Sequence, residues 1–276
     1  MSFSRFKGFK TKPSPGTFVD WTHPLSKGLV GWWLLNEGAG SRANDLSGNK
    51  NAGTITAAAW GGGNFGTTLL TPTSGTREFI TVTSSDSLNI GASDSLSMSI
   101  WVKTTSFSES PAFINKLEDR STTKPGYNLR VENAGGANAI ECELYDGTLL
   151  EDIDYSSSTE LTDGKPHHIA SVFNRPAGTL IVYIDGVNKA SMSGISLGSL
   201  SNAQSLIIGE MSATEEIIDG GLDDVRIYKR PLNSFEVYQL FSNPFQNIIS
   251  PQMRRFSVQD SAVAQRSYRL LTGVGY

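Results

Sequence analysis

Ala139-Ile140-Glu141-Cys142-Glu143-Leu144-Tyr145-Asp146-Gly147 is the stretch on which the fold turns. Ile140, Cys142 and Leu144 alternate with Glu141, Glu143 and Tyr145, the period of two that puts apolar side chains on one face of a strand. Asp146-Gly147 then tolerates the left-handed backbone of a tight hairpin, so a returning strand is expected over 148–155. The same pattern spreads outward. Met98, Ile100 and Val102 alternate within 97–102, and Leu180, Val182 and Ile184 alternate before a second such turn, Asp185-Gly186. Val225 and Ile227 alternate in the same way. Further strands are expected at 29–35, 52–57, 78–83, 112–117, 126–132, 167–174, 187–192 and 205–209, with Asp163-Gly164 marking another turn. About a dozen short strands at this spacing predict an all-β antiparallel sandwich or barrel. One helix is predicted near 233–242. Asn233 can cap it, Glu236 completes a capping box, and Phe235, Val237, Tyr238, Leu240 and Phe241 supply its apolar residues. Asn243-Pro244 ends it.

The chain of 276 residues is long enough for one large sandwich core. Its single cysteine, Cys142, excludes a disulfide scaffold and is read as a core residue. Net charge is −4 but unevenly spread. Residues 1–19 hold Arg5, Lys7, Lys10 and Lys12 and no acid, while residues 245–276 hold Arg254, Arg255, Arg266 and Arg269 against Asp260. The body between these basic ends is acidic. The ends have weak periodicity and are expected to be extended arms, with Phe9 and Phe256 among the apolar side chains suited to a neighbour's grooves. Ordering such arms costs about 1–2 kcal/mol per residue in backbone entropy, so contacts outside the sandwich are expected to hold them. The basic start lacks the apolar run of a signal peptide, and no membrane-spanning stretch follows, so synthesis in a reducing cytoplasm is expected. Neither arm carries a nucleic-acid-binding motif, and the acidic body would repel phosphate.

A series of short motifs resembles the laminin-G-like, concanavalin A-like jelly roll. Gly28-Leu29-Val30-Gly31-Trp32-Trp33 with Asn36-Glu37-Gly38-Ala39-Gly40 is similar to that family's opening strand and turn. Asp45-Leu46-Ser47-Gly48-Asn49-Lys50-Asn51-Ala52-Gly53-Thr54 is similar to its D-x-S-G-N-x-N-x-G-T loop. Ser99-Ile100-Trp101-Val102-Lys103, Leu161 to Ala170, Val182 to Gly186 and Gly221 to Tyr228 follow in the family's order. Pro166 stands where the family usually has Trp. The resemblance covers 28–243 and implies three parts: an N-terminal arm over 1–27, a jelly-roll domain over 28–243 and a C-terminal arm over 244–276. It also implies a choice of roles, because such domains serve as lectin-like modules, as appendages on enzymes and as structural proteins of phage particles.

Candidate chemistry is sparse. Glycoside hydrolysis needs two carboxyls at a fixed separation, and the three-acid alternation of the related hydrolases is missing. Glu141 and Glu143 are therefore read as an acidic solvent face of a hairpin that can bind a glycan, together with Tyr145 and Tyr155. Other aromatic candidates for sugar contact are Trp21, Trp60, Tyr127 and one of Trp32 and Trp33, which point to opposite faces. His167 and His168 also point to opposite faces, which disfavours a shared zinc. Calcium prefers hard oxygen ligands from turns. The loop with Asp45, Asn49 and Asn51 offers them, and the resemblance implies Asp223 as a fourth. The competing reading of these side chains is ordinary turn bonding.

The expectation drawn from these features is a non-enzymatic virion structural protein, a capsid decoration or tail-associated subunit. It would dock on capsid or tail proteins and on copies of itself through Arg5, Lys7, Phe9, Lys10, Arg254, Arg255, Phe256, Arg266 and Arg269. The alternative is a lectin-like module for cell-surface glycans. No nucleic-acid or membrane partner is expected.

Overall fold

The computed structural model describes residues 11–249 except 64, 72–76, 108–109, 118–123, 135–136, 157–159 and 211–217. In chain order the strands are β1 Phe18–Val19, β2 Leu29–Trp33, β3 Arg42–Ala43, β4 Gly53–Thr56, β5 Ala59–Gly63 and β6 Gly66–Thr71. They continue with β7 Phe79–Val82, β8 Leu96–Phe107, β9 Ala112–Asn115, β10 Gly126–Ala134, β11 Ala137–Tyr145 and β12 Leu150–Ser156. The last are β13 Pro166–Asn174, β14 Thr179–Ile184, β15 Val187–Ser193, β16 Leu206–Ile208, β17 Ile218–Tyr228 and, after helix α1 at Ser234–Ser242, β18 Ile248–Ile249. Every strand expected from alternation is present, and β8 and β17 run well beyond the predicted ends. The hairpin β5–β6 was not predicted. A β-carbon on Gly61 would lie 2.2 Å from Leu70 Cδ1, so cross-strand packing demands the glycine that hid this strand in the sequence.

Two antiparallel sheets form the sandwich. One runs β12-β11-β10-β9-β16-β7-β4-β3, and the other runs β15-β14-β13-β8-β17-β6-β5 with β2 also paired to β17. Alternation sorts side chains as the sequence implies: Met98, Ile100, Val102, Ile140, Cys142 and Leu144 all enter the core between the sheets. The second sheet is buried on its outer face too. Trp32, Ala170, Val172 and Tyr228 there join Leu25, Val237, Leu240 and Phe245 in a second apolar cluster under α1. Trp33 points inward and Trp32 outward, as expected, but both are fully buried.

A buried charge fixes this second layer. Arg226 Nε and Nη2 donate to Asp224 Oδ1 and Oδ2 at 3.0 and 2.9 Å, and its guanidinium lies 4.0 Å from the Trp32 ring centroid. Trp32 Nε1 donates to Asp224 Oδ1 at 2.6 Å. Arg226 also donates to the Pro244 carbonyl, tying the segment after α1 to the sheet. The helix keeps its predicted capping box: Glu236 N donates to Asn233 Oδ1 at 2.9 Å, and Asn233 N donates to Glu236 Oε2 at 3.0 Å.

Described residues beyond the boundaries expected at 27 and 244 make contacts with the sandwich and with each other. Strand β1 pairs with β18, and the Lys12 side chain is buried against Asp223 while donating to Leu35 O at 2.7 Å. Residues 11–27 and 244–249 thus pack on their own sandwich. Lys12 there meets an acid that the sheet has desolvated. The arm residues Arg5, Lys7, Phe9, Lys10, Arg254, Arg255, Phe256, Arg266 and Arg269 lie outside the described residues.

Candidate functional site

The acidic hairpin differs from its sequence reading. Register sets Glu141 opposite Arg130 and Asp154, and Glu143 opposite Asn128 and Asp152. Arg130 Nε donates to Glu143 Oε2 at 3.0 Å, and Arg130 Nη2 contacts both Glu141 and Glu132. Glu141 and Glu143 are 1% and 0% exposed, so they form a buried ion cluster and no solvent face. Alternation identifies which side of a strand a residue takes; it does not tell whether that side is covered. Asp152 and Asp154 remain exposed beside them. Carboxylate oxygens of Glu141, Asp152 and Asp154 come within 4.8 Å of one another, close enough to share a hard cation. The Arg130 guanidinium already neutralises Glu141 there.

Tyr145 follows Glu143 by two residues and shares its face. Tyr155 sits opposite Ile140, on the core-facing side, under the Lys189 ammonium at 5.4 Å. The four residues expected to bind a glycan are therefore split between two faces. Tyr127 is fully buried and donates its hydroxyl to Leu88 O at 2.9 Å. Trp60 is half-buried and donates to Gly40 O, whereas Trp21 is 53% exposed.

The loop 45–51 is organised by its own side chains. Asp45 Oδ1 accepts from Trp32 N and Ser47 N at 3.0 and 2.8 Å, and Oδ2 accepts from Ser47 Oγ and Asn51 N, both at 2.8 Å. Asn49 and Asn51 both turn Nδ2 toward Val30 O, at 3.3 and 2.9 Å. Asp223 is paired with Lys12. Of the four expected calcium ligands, Asp45 accepts four hydrogen bonds from N–H and O–H donors, and Asp223 is held by the Lys12 ammonium. Burial pushes the Asp223 carboxyl up to about 7 against the pull of Lys12, and burial lowers the Lys12 ammonium despite Asp223. His167 bridges Asp185 and Asp163 at 2.8 and 3.0 Å. His168 is buried on the other face, beside Trp101.

An open cleft of about 530 Å³ lies at one end of the sandwich, lined by Ser84, Ser85, Asp86, Asn89, Ser201, Asn202 and Ala203. Its walls are the turn after β7 and the loop before β16. Lys116, fully buried, bolts them together. Its ammonium donates to Ser84 Oγ at 3.1 Å, Asn202 O at 3.1 Å, Asn202 Oδ1 at 2.8 Å and Gln204 O at 2.8 Å. Burial lowers the Lys116 pKa to about 8. Asn202 Nδ2 donates back to Lys116 O at 2.7 Å. Every lining side chain except Ala203 carries a hydroxyl, amide or carboxylate, a set that exchanges hydrogen bonds with a polar ligand. Sequence reasoning missed this cleft. Its only trace is two Ser/Asn/Asp-rich turns, 83–89 and 199–204, which are 110 or more residues apart and resemble any loop.

Among known proteins, the Laminin_G_3 family profile, described as the concanavalin A-like lectin/glucanases superfamily, matches residues 74–238. No curated protein matches the sequence. The binding domain of Paraclostridial Mosquitocidal Protein 1 superposes with a TM-score of 0.66 at 19% identity, covering 80% of this chain and 53% of that one. The botulinum neurotoxin serotype D binding domain gives 0.62 at 18% identity, covering 81% and 54%. Domain 4 of AbnA, a GH43 extracellular arabinanase from Geobacillus stearothermophilus, solved in complex with arabinotriose, gives 0.56 at 19% identity, covering 78% and 98%. The chain thus spans about half the length of the toxin domains and nearly all of the arabinanase domain. At these identities the likeness establishes the jelly-roll fold. With the profile covering more than half of its residues, the chain belongs to the laminin-G-like family of the concanavalin A-like lectin/glucanases superfamily.

Proposed function

We propose that this chain is a non-catalytic carbohydrate-binding module that recognises surface glycans. The observation that carries the reading is the cleft, whose lining of hydroxyl, amide and carboxylate groups suits a polyhydroxylated ligand. The similar structures point the same way: two are named binding domains, and a third was solved with a bound arabinose oligosaccharide. Glycosidic chemistry needs one carboxyl to give a proton and another to act as base or nucleophile. The paired acids of β11 are instead buried against Arg130. The virion-subunit reading rests on terminal residues outside the described set and gains no support from these neighbours. Screening the intact chain on immobilised oligosaccharides, alongside an assay for newly formed reducing ends, tests the proposal. Selective retention without release of sugar is expected. Turnover of any retained glycan, or retention of none, contradicts it.

A further inference from the structure

We infer that the cleft grips two neighbouring hydroxyls of a neutral saccharide between the Asp86 carboxylate and the Asn89 amide, with the Ser201 hydroxyl beside them. This deepens the carbohydrate-binding reading and rests on it.

The inference comes from which lining groups the protein already uses. Ser85 Oγ donates to Asn51 Oδ1 at 2.7 Å, and Ser84 Oγ accepts from Lys116 while donating to Asn202 O at 3.3 Å. The Asn202 amide is spent on Lys116, Pro125 and Gln204. These three side chains build the walls. Asp86, Asn89 and Ser201 differ. The Asp86 carboxylate is exposed and takes no hydrogen bond from the described residues; its backbone carbonyl accepts from Lys229 Nζ at 2.9 Å and from Asn89 N at 3.3 Å. Asn89 Oδ1 accepts from Asn202 N at 3.3 Å. A backbone N–H can only donate, so that bond fixes the amide orientation and leaves both Nδ2 hydrogens for a ligand. Ser201 is held through its backbone N–H, which donates to Ser199 Oγ at 3.2 Å, and its own hydroxyl makes no hydrogen bond among the described residues.

Geometry sets the two principal groups together. Asp86–Leu88 is a 3-10 turn, closed by Asn89 N donating to Asp86 O at 3.3 Å. Asp86 opens this turn and Asn89 is its extended C-cap, and both residues line the cleft. One is an acceptor and the other a donor. Adjacent sugar hydroxyls match that pair, since one O–H donates to the carboxylate while its neighbour's oxygen accepts from the amide. A ligand carboxylate would instead meet Asp86 with like charge, so sialylated and uronic acid sugars are disfavoured. Lys116 acts as a positioning residue. It holds Ser84 and Asn202 on opposite walls, so the ligand orders little on binding.

The test titrates the intact chain calorimetrically with arabinotriose and with neutral and sialylated oligosaccharides retained in the glycan screen. Asp86→Ala is expected to weaken neutral-sugar binding by about tenfold or more, the scale of one lost charge-assisted hydrogen bond. Asn89→Asp keeps the acceptor for Asn202 N, deletes the Nδ2 donors and is expected to weaken binding comparably. Asp154→Ala, far from the cleft on β12, is expected to bind as the parent does, and unchanged melting of all three variants excludes misfolding. If the parent binds neutral sugars and both cleft variants bind equally well, the site is wrong while the carbohydrate reading stands. If the parent binds only acidic sugars, the neutral-diol assignment fails. If it binds no sugar, both the site and the reading fail.

Discussion

At the scale of single residues, the decisive groups are buried charges. Arg130 faces three carboxylates, and replacing it with Met removes the guanidinium that the buried Glu141 and Glu143 contact. Removing one partner of a buried pair costs about 3–5 kcal/mol, so urea unfolding of Arg130→Met should show a loss of at least that size. Lys12→Met poses the same problem to Asp223, with a pH signature. The Asp223 carboxyl is raised to about 7 in the fold, above its ordinary value, so its charge destabilises the native state progressively as pH rises toward 7. The penalty of Lys12→Met should therefore be larger at pH 7.5 than at pH 5, and an equal penalty at both would refute the pairing. His168 has the opposite slope. Burial, and then the Arg226 charge, push its pKa down to about 3. Between about 6.5 and 3 the unfolded chain alone binds this proton, so stability rises as pH rises through that window, by up to about 1.4 kcal/mol per unit, and is lost as pH falls. His168→Gln should flatten that part of the stability curve relative to the parent.

At the scale of elements, capping and register carry the structure. Asn233→Ala should lower stability by about 1 kcal/mol, because it strips the acceptor that satisfies Glu236 N at the start of α1. Denaturant midpoints at unchanged slope would check this. Elements of this kind were legible in the sequence because their signals are local: the capping box, the Asp-Gly turns and the two-residue period each act within one or two turns of chain. The β5–β6 hairpin was illegible because Gly61 answers to Leu70 and Gly63 to Thr68, cross-strand neighbours whose positions only pairing defines. The site was less legible for the same reason. Glu141, Glu143 and Tyr145 were correctly set on one face, but the burial of the two acids depends on Arg130 across the register. Tyr155 fell on the opposite face because its partner is Ile140. The Asp45 loop illustrates a motif whose composition fits two chemistries. Its hydrogen bonds are those of a turn, so a chelator is expected to leave the melting temperature unchanged.

At the scale of the whole molecule, the sandwich brings together groups that sequence distance separates. Lys116 on the chain after β9 joins the turn near Ser84 to the loop near Asn202, and Lys12 closes on Asp223 more than two hundred residues away. Neither link has a sequence pattern, and each is decided by which loops the two sheets deliver to one end. The same delivery forms the cleft, so the central claim concerns where on this surface a sugar binds. Backbone amide NMR during titration with a retained neutral oligosaccharide tests it most directly. Saturable shifts gathered on residues 84–89 and 199–204 are predicted; saturation with those amides unmoved, or with shifts gathered instead on β11 and β12, would contradict it.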